Sequence, residues 1–131
     1  VQGSSRAARL SFFVVLWIVA SCHRPAQSLP GVAVEYEISP QPVTTGPATV
    51  TVKLADAAGR PISAAEVSVE GDMAHAGMSP VFADARELPG GRYRAALNFA
   101  MAGDWVVILH VKLPGGQTLE RQIDVKGVRA K

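Results

Sequence analysis

The 131-residue chain is predicted to fold as an all-β antiparallel sandwich, on three observations. Apolar and polar residues alternate with a period of two in one segment after another, as half-buried strands require. Turn signals rich in Pro and Gly separate those segments. Beyond residue 22, no stretch offers three turns of helical periodicity without a Gly or Pro. In the first strand Val32, Val34, Tyr36 and Ile38 share a face, with Glu35 and Glu37 on the other. Ala48, Val50, Val52 and Leu54 then alternate with Thr49, Thr51 and Lys53, and Val67 and Val69 with Glu66, Ser68 and Glu70. Tyr93, Ala95, Leu97 and Phe99 alternate with Arg92, Arg94 and Asn98. Trp105, Val107, Leu109 and Val111 form the most apolar face, and Leu119, Ile123 and Val125 the last one. Arg121 interrupts that last face, which predicts an edge strand or a bulge. The turns are read at Ser39-Pro40-Gln41-Pro42, Ala58-Gly59-Arg60-Pro61, Leu88-Pro89-Gly90-Gly91 and Leu113-Pro114-Gly115-Gly116. With a weaker seventh segment around Val81 to Ala85, six or seven strands in about 100 residues predict an immunoglobulin-like sandwich. A parallel sheet is excluded, because nothing between the strands is long enough for a crossover helix.

The first segment reads as an address. Arg6 and Arg9 supply a positive start, and an apolar run of 11 residues follows from Leu10 to Ala20. That run falls short of the roughly 20 residues a helix needs to span a bilayer, and it matches the central region of a secretory signal. The chain's single cysteine, Cys22, follows Val19-Ala20-Ser21, which resembles the lipobox of a bacterial lipoprotein. Lipidation at Cys22 is therefore expected. Each buried methylene of an acyl chain contributes roughly 0.8 kcal/mol, so two or more chains hold a protein stably on a membrane. An ordinary cleaved signal, with Cys22 incidental, is the alternative. The expected organisation is a signal peptide over 1–21, a lipidated cysteine and tether over 22–31 that includes His23, a sandwich over 32–127 and a tail over 128–131. The expected location is the cell envelope, facing the periplasm or the extracellular side.

This division reapportions the charge. The whole chain carries a formal +2, but Arg6 and Arg9 precede Cys22 and every acidic residue follows it. The remainder holds 11 basic and 11 acidic side chains, and that balance gives no claim on nucleic acid. One cysteine also excludes an intrachain disulfide framework and a multi-cysteine zinc site.

One segment stands apart, Gly71-Asp72-Met73-Ala74-His75-Ala76-Gly77-Met78-Ser79-Pro80. Thioether and imidazole ligands together suit copper, above all Cu(I), because soft sulfur binds it while hard cations prefer oxygen. In an extended segment Met73 and His75 point the same way, and Gly77 lets the chain turn so that Met78 returns toward them. The competing reading is that the methionines plug the open end of the sandwich while His75 is solvated. Met101, beside Gly103 in a hairpin turn, is the additional candidate ligand, and packing against Trp105 is its alternative role. His110 falls on the strand face opposite Trp105, beside Val106 and Ile108, and is read as a sheet-face residue. The apolar Val106 and Ile108 imply that this second face is also covered, by the chain or by a partner.

The Met-x-His-x-x-Met loop is followed by Leu88-Pro-Gly-Gly-Arg-Tyr93 and by Phe99-Ala-Met101-Ala-Gly103-Asp-Trp105. Together with Asp56-Ala-Ala-Gly59-Arg-Pro61-Ile-Ser-Ala-Ala-Glu-Val67, these stretches resemble the YtkA-like domain family from about Val32 to Val125. The resemblance implies a small immunoglobulin-like sandwich in an exported or membrane-anchored bacterial protein. Relatives include the FixH proteins associated with copper delivery to a respiratory oxidase, so it also implies a copper-transport or oxidase-assembly protein as partner. Many members have a longer loop with three or more methionines, whereas this loop has only Met73 and Met78.

No enzyme is expected. No hydroxyl nucleophile sits in a strand-turn-helix elbow, and no glycine-rich loop opens a helix for phosphate. Glu35/Glu37 and Glu66/Glu70 are spaced as solvated sheet faces rather than as a carboxylate pair in a cleft. The expected function is a membrane-anchored, extracytoplasmic domain handling copper through Met73, His75, Met78 and Met101. The alternative is an interaction module that docks on an envelope complex or transporter through a methionine surface.

Overall fold

The computed structural model describes residues 29–131; the expected signal peptide, Cys22 and His23 lie outside the described residues. Eight strands follow one another: β1 (Val32–Ser39), β2 (Gly46–Asp56), β3 (Glu66–Met73), β4 (Val81–Asp84), β5 (Arg86–Leu88), β6 (Arg92–Phe99), β7 (Gly103–Lys112) and β8 (Thr118–Val128). They form two four-stranded antiparallel sheets, ordered β1-β2-β6-β5 and β4-β3-β7-β8. In immunoglobulin lettering the first order is ABED, and the second is CFG with one strand added beside C. The described residues therefore form an immunoglobulin-like sandwich. Among the described residues no helix is long and apolar enough to cross a membrane.

Period-two alternation sets the two layers. Along β6 the residues Tyr93, Ala95, Leu97 and Phe99 are buried while Arg92, Arg94, Ala96 and Asn98 are exposed. Along β7, Trp105, Val107, Leu109 and Val111 turn inward to meet them. Phe99 and Trp105 face each other across the gap with ring centroids 5.2 Å apart and planes at 85°, the edge-to-face arrangement that aromatic quadrupoles favour. No polar or charged residue is buried in this core. Tyr93 reaches its rim: the ring is fully buried, while its hydroxyl donates to the Ile62 carbonyl at 2.8 Å and accepts the Ala65 N–H at 3.1 Å.

Three details differ from the sequence expectation. The weak seventh segment is the short strand β4, and an eighth strand, β5, follows it at once, because the chain changes sheets at Ala85. Ala85 still donates its N–H to Val67 of β3, whereas Arg86 pairs with Arg94 of β6. Each piece covers one sheet edge, so neither shows a long alternating pattern. The last strand is an edge strand, as Arg121 suggested, and it also carries a bulge. That bulge is placed not at Arg121 but at Lys126 and Gly127, which together stand against the single Asp104 of β7. The domain also runs past 127. Val128 is buried, and Arg129 exchanges backbone hydrogen bonds with Val43 and Thr45. At the start, Leu29 packs on the core and accepts the Val32 N–H, so the end of the expected tether belongs to the sandwich.

Candidate functional site

β3 and β7 run antiparallel, so the C-terminal end of β3 and the N-terminal end of β7 lie at one pole of the sandwich. The β3–β4 loop, which carries His75 and Met78, and the β6–β7 turn, which carries Met101, both emerge there. The opposite pole receives Leu29 and the β2–β3 connection, because Val32 pairs with Asp56.

Met73 is the last residue of β3 and points inward. It is buried, with 9% of its surface exposed, and stands opposite Trp105 in the ladder. A Cβ at Gly103 would come within 3.0 Å of the Met73 Cε, and Gly103 has φ +129°, where an L side chain is strained. Glycine at 103 therefore serves both the backbone conformation and the close approach of the thioether. The ladder continues one bond further, from the Ala74 N–H to the Asp104 carbonyl at 3.0 Å, and then the chain leaves the sheet.

His75 and Met78 follow in exposed conformation, with Gly77 at φ +87° between them. Met73 and His75 thus do not share an environment, because the extended stretch that would align them ends at Met73. Met78 is 41% exposed and Met101 48%. Trp105 approaches Met101 through the backbone: its Nε1–H donates to the Met101 carbonyl at 2.9 Å, which fixes the turn and leaves the thioether toward solvent. The Asp104 carboxyl, at the base of the loop, is held below its ordinary value. The Gly127 N–H donating to it at 2.9 Å is the main cause, with the charges of Lys126 and His75 adding to it.

The packing alternative thus describes Met73 but not Met78 or Met101, whose side chains are exposed, as His75 is. Among the described residues no three His, Asp or Glu side chains form a group able to hold a metal ion. A metal at this pole would have to take thioether sulfur.

His110 lies on the outer face of the β4-β3-β7-β8 sheet, as its alternation predicted. Its surroundings were not legible. Nε2 lies 2.6 Å from Glu70 Oε2 and Nδ1 lies 3.2 Å from Glu120 Oε1, so the ring bridges β3 and β8. A ring protonated on both nitrogens donates to both carboxylates. Glu70 and Glu120 are 40 and 10 positions from His110 in sequence. Only the strand register brings the three together, which is why spacing did not reveal them. Phe82, 64% exposed on the same face, was missed because β4 is too short to show its alternation.

The model of the YtkA-like family matches residues 31–110. No curated protein matches the chain. Among solved structures, murine CRIg is similar at 12% identity and TM-score 0.41, over 76% of this chain and 98% of that one. The ZirS C-terminal domain is similar at 11% identity and TM-score 0.44, over 100% of this chain and 87% of that one.

Proposed function

Because the chain belongs to the YtkA-like family, with the match spanning most of its sandwich, we propose that it is an extracytoplasmic binding domain that handles copper at its methionine pole. The observation that supports this reading is the exposure of Met78 and Met101, with His75, on two neighbouring loops of one pole. Exposed thioethers are accessible to an ion from solvent, and they keep a lone pair at any pH. They therefore bind soft Cu(I) in an oxidising compartment where thiols are lost to disulfides. Met73 supports the site from beneath by closing the core. A shallow set of two thioethers and an imidazole exchanges its ion readily, which suits transfer to a copper-transport or oxidase-assembly protein. A lipidated Cys22 would anchor the domain to the membrane, and the pole carrying Met78 is the one opposite Leu29.

Copper is titrated into residues 23–131 against a competing chelator, as Cu(I) and as Cu(II). Trp105, the one tryptophan in that span, serves as an internal fluorophore through its bond to the Met101 carbonyl. The expected result is measurable Cu(I) affinity that falls at least about tenfold, or 1.4 kcal/mol, in a His75→Ala/Met78→Ala/Met101→Ala variant. Equal affinity in that variant would refute the copper reading. The same two exposed methionines also suit an adaptable contact surface for an envelope complex or transporter, and that reading would then stand alone.

A further inference from the structure

The outer face of the β4-β3-β7-β8 sheet carries a charge pattern that the copper reading does not use. Strand register arranges it in rows. Phe82 of β4, Glu70 of β3, Ile108 of β7 and Gln122 of β8 form one row, and Asp72, Val106 and Asp124 form the next toward the methionine pole. On the other side, Asp84, Ser68, His110 and Glu120 form a third. The two rim lysines are already matched, Lys112 to Glu66 at 3.3 Å and Lys126 to Asp104 at 3.6 Å. Glu70, Asp72, Asp84, Glu120 and Asp124 then remain, and among the described residues none of them has a lysine or arginine partner; only His110 bridges Glu70 and Glu120. Arg121 of β8 pairs with the inward Leu109 and so belongs to the opposite strand face from Glu120 and Asp124, and Lys53, Arg86, Arg92 and Arg94 belong to the other sheet.

We propose that this face docks a basic amphipathic segment of a protein partner, with an apolar stripe over Val106 and Ile108 and lysine or arginine on both sides. The dimensions agree. Neighbouring strands lie about 4.8 Å apart, so the acidic rows of β3 and β8 flank the β7 stripe about 10 Å from each other. A helix with its side chains is about 10–12 Å across, so its flanking lysines reach both rows while its apolar stripe meets β7. Phe82, 64% exposed beyond the acidic row of β3, offers a second apolar contact. Beside His110 a shallow recess of about 370 Å³ is lined by Glu66, Asp84 and Glu120 together with Lys112. Lys112 is paired to Glu66, so Asp84 and Glu120 are left to receive a cationic head group. The same excess of carboxylates disfavours anionic lipid and nucleic acid.

The test uses the whole mature chain and a synthetic helical peptide whose leucine stripe is flanked by lysines. Expected are saturable binding and amide shift changes confined to β3, β4, β7 and β8. Affinity should fall at least about tenfold in Asp72→Asn/Asp124→Asn and less than about twofold in Glu35→Gln/Glu37→Gln, which alters the net charge equally on the other sheet. Phe82→Ser should weaken binding without changing its salt dependence. No binding, equal losses in both carboxylate pairs, or shifts spread over both sheets would overturn the proposal. So would binding to anionic vesicles through this face. Concentration-dependent self-association abolished by Arg92→Ala/Arg94→Ala would replace the partner with a second copy. None of these outcomes bears on copper affinity, so the two proposals fail separately.

Discussion

Met73 stands directly opposite Trp105 in the last pair of the β3–β7 ladder, and the thioether and the indole together close one end of the core. The two methionines of the Met-x-His-x-x-Met loop therefore have different physical roles. Met73 holds the pole shut, and Met78 faces water.

Met73→Ala removes a buried side chain where Gly103 leaves no neighbour to collapse into the gap. It is expected to cost about 2–4 kcal/mol in urea unfolding. Met78→Ala and Met101→Ala, both exposed, should stay within about 0.5 kcal/mol of the parent. An unfolding midpoint unchanged in Met73→Ala would contradict the packing assigned to it.

Gly103→Ala meets two obstacles, the positive φ and the Met73 Cε. A loss of about 1–3 kcal/mol is expected from thermal or urea unfolding. In Met73→Ala/Gly103→Ala the steric part is relieved while the backbone strain remains. The double variant should then lose less than the two single variants added together.

Tyr93→Phe leaves the Ile62 carbonyl and the Ala65 N–H without their partner at the core rim. The expected cost is about 1–3 kcal/mol at neutral pH. Burial also raises the Tyr93 phenol above its ordinary 10.0. The folded state thus keeps its proton longer than the unfolded chain does. Stability should be fully present below pH 10 and decline as pH rises through the folded value, and Tyr93→Phe should lack that alkaline decline.

Asp104 and Asp72 should respond oppositely to pH. Asp104 is lowered, chiefly by the Gly127 N–H, so its contribution is present above the ordinary value of 3.8 and lost as pH falls through its folded value. Asp72 is raised by burial and then by the Glu70 charge, so its charged form opposes folding once pH rises above 3.8 toward the folded value. Asp104→Asn should flatten the acid limb of a stability–pH profile, whereas Asp72→Asn should raise stability at neutral pH. Chemical unfolding at a series of pH values measures both.

Much of this architecture is legible in the primary structure because strand alternation is local. Tyr93, Ala95, Leu97 and Phe99 announce a buried face wherever their strand is placed, since successive side chains leave a strand in opposite directions. The same locality marks the Pro/Gly turns, the Met-x-His-x-x-Met loop and the outward direction of His110. It does not reach Ala85, where the change of sheet depends on β3 and β6 being the nearest hydrogen-bonding edges.

The alternating pattern and turn chemistry of this chain specify an all-β sandwich, its inward faces, and a methionine- and histidine-bearing loop between two strands. Pairing partners far apart in sequence do the rest. Register places Met73 against Trp105 and Gly103, and so separates a core plug from the exposed Met78 and Met101. It also gathers Glu70, His110 and Glu120 from three strands onto one face. The reason is that a side chain's direction follows from its own backbone, whereas its neighbours follow from strand pairing, which no single segment contains.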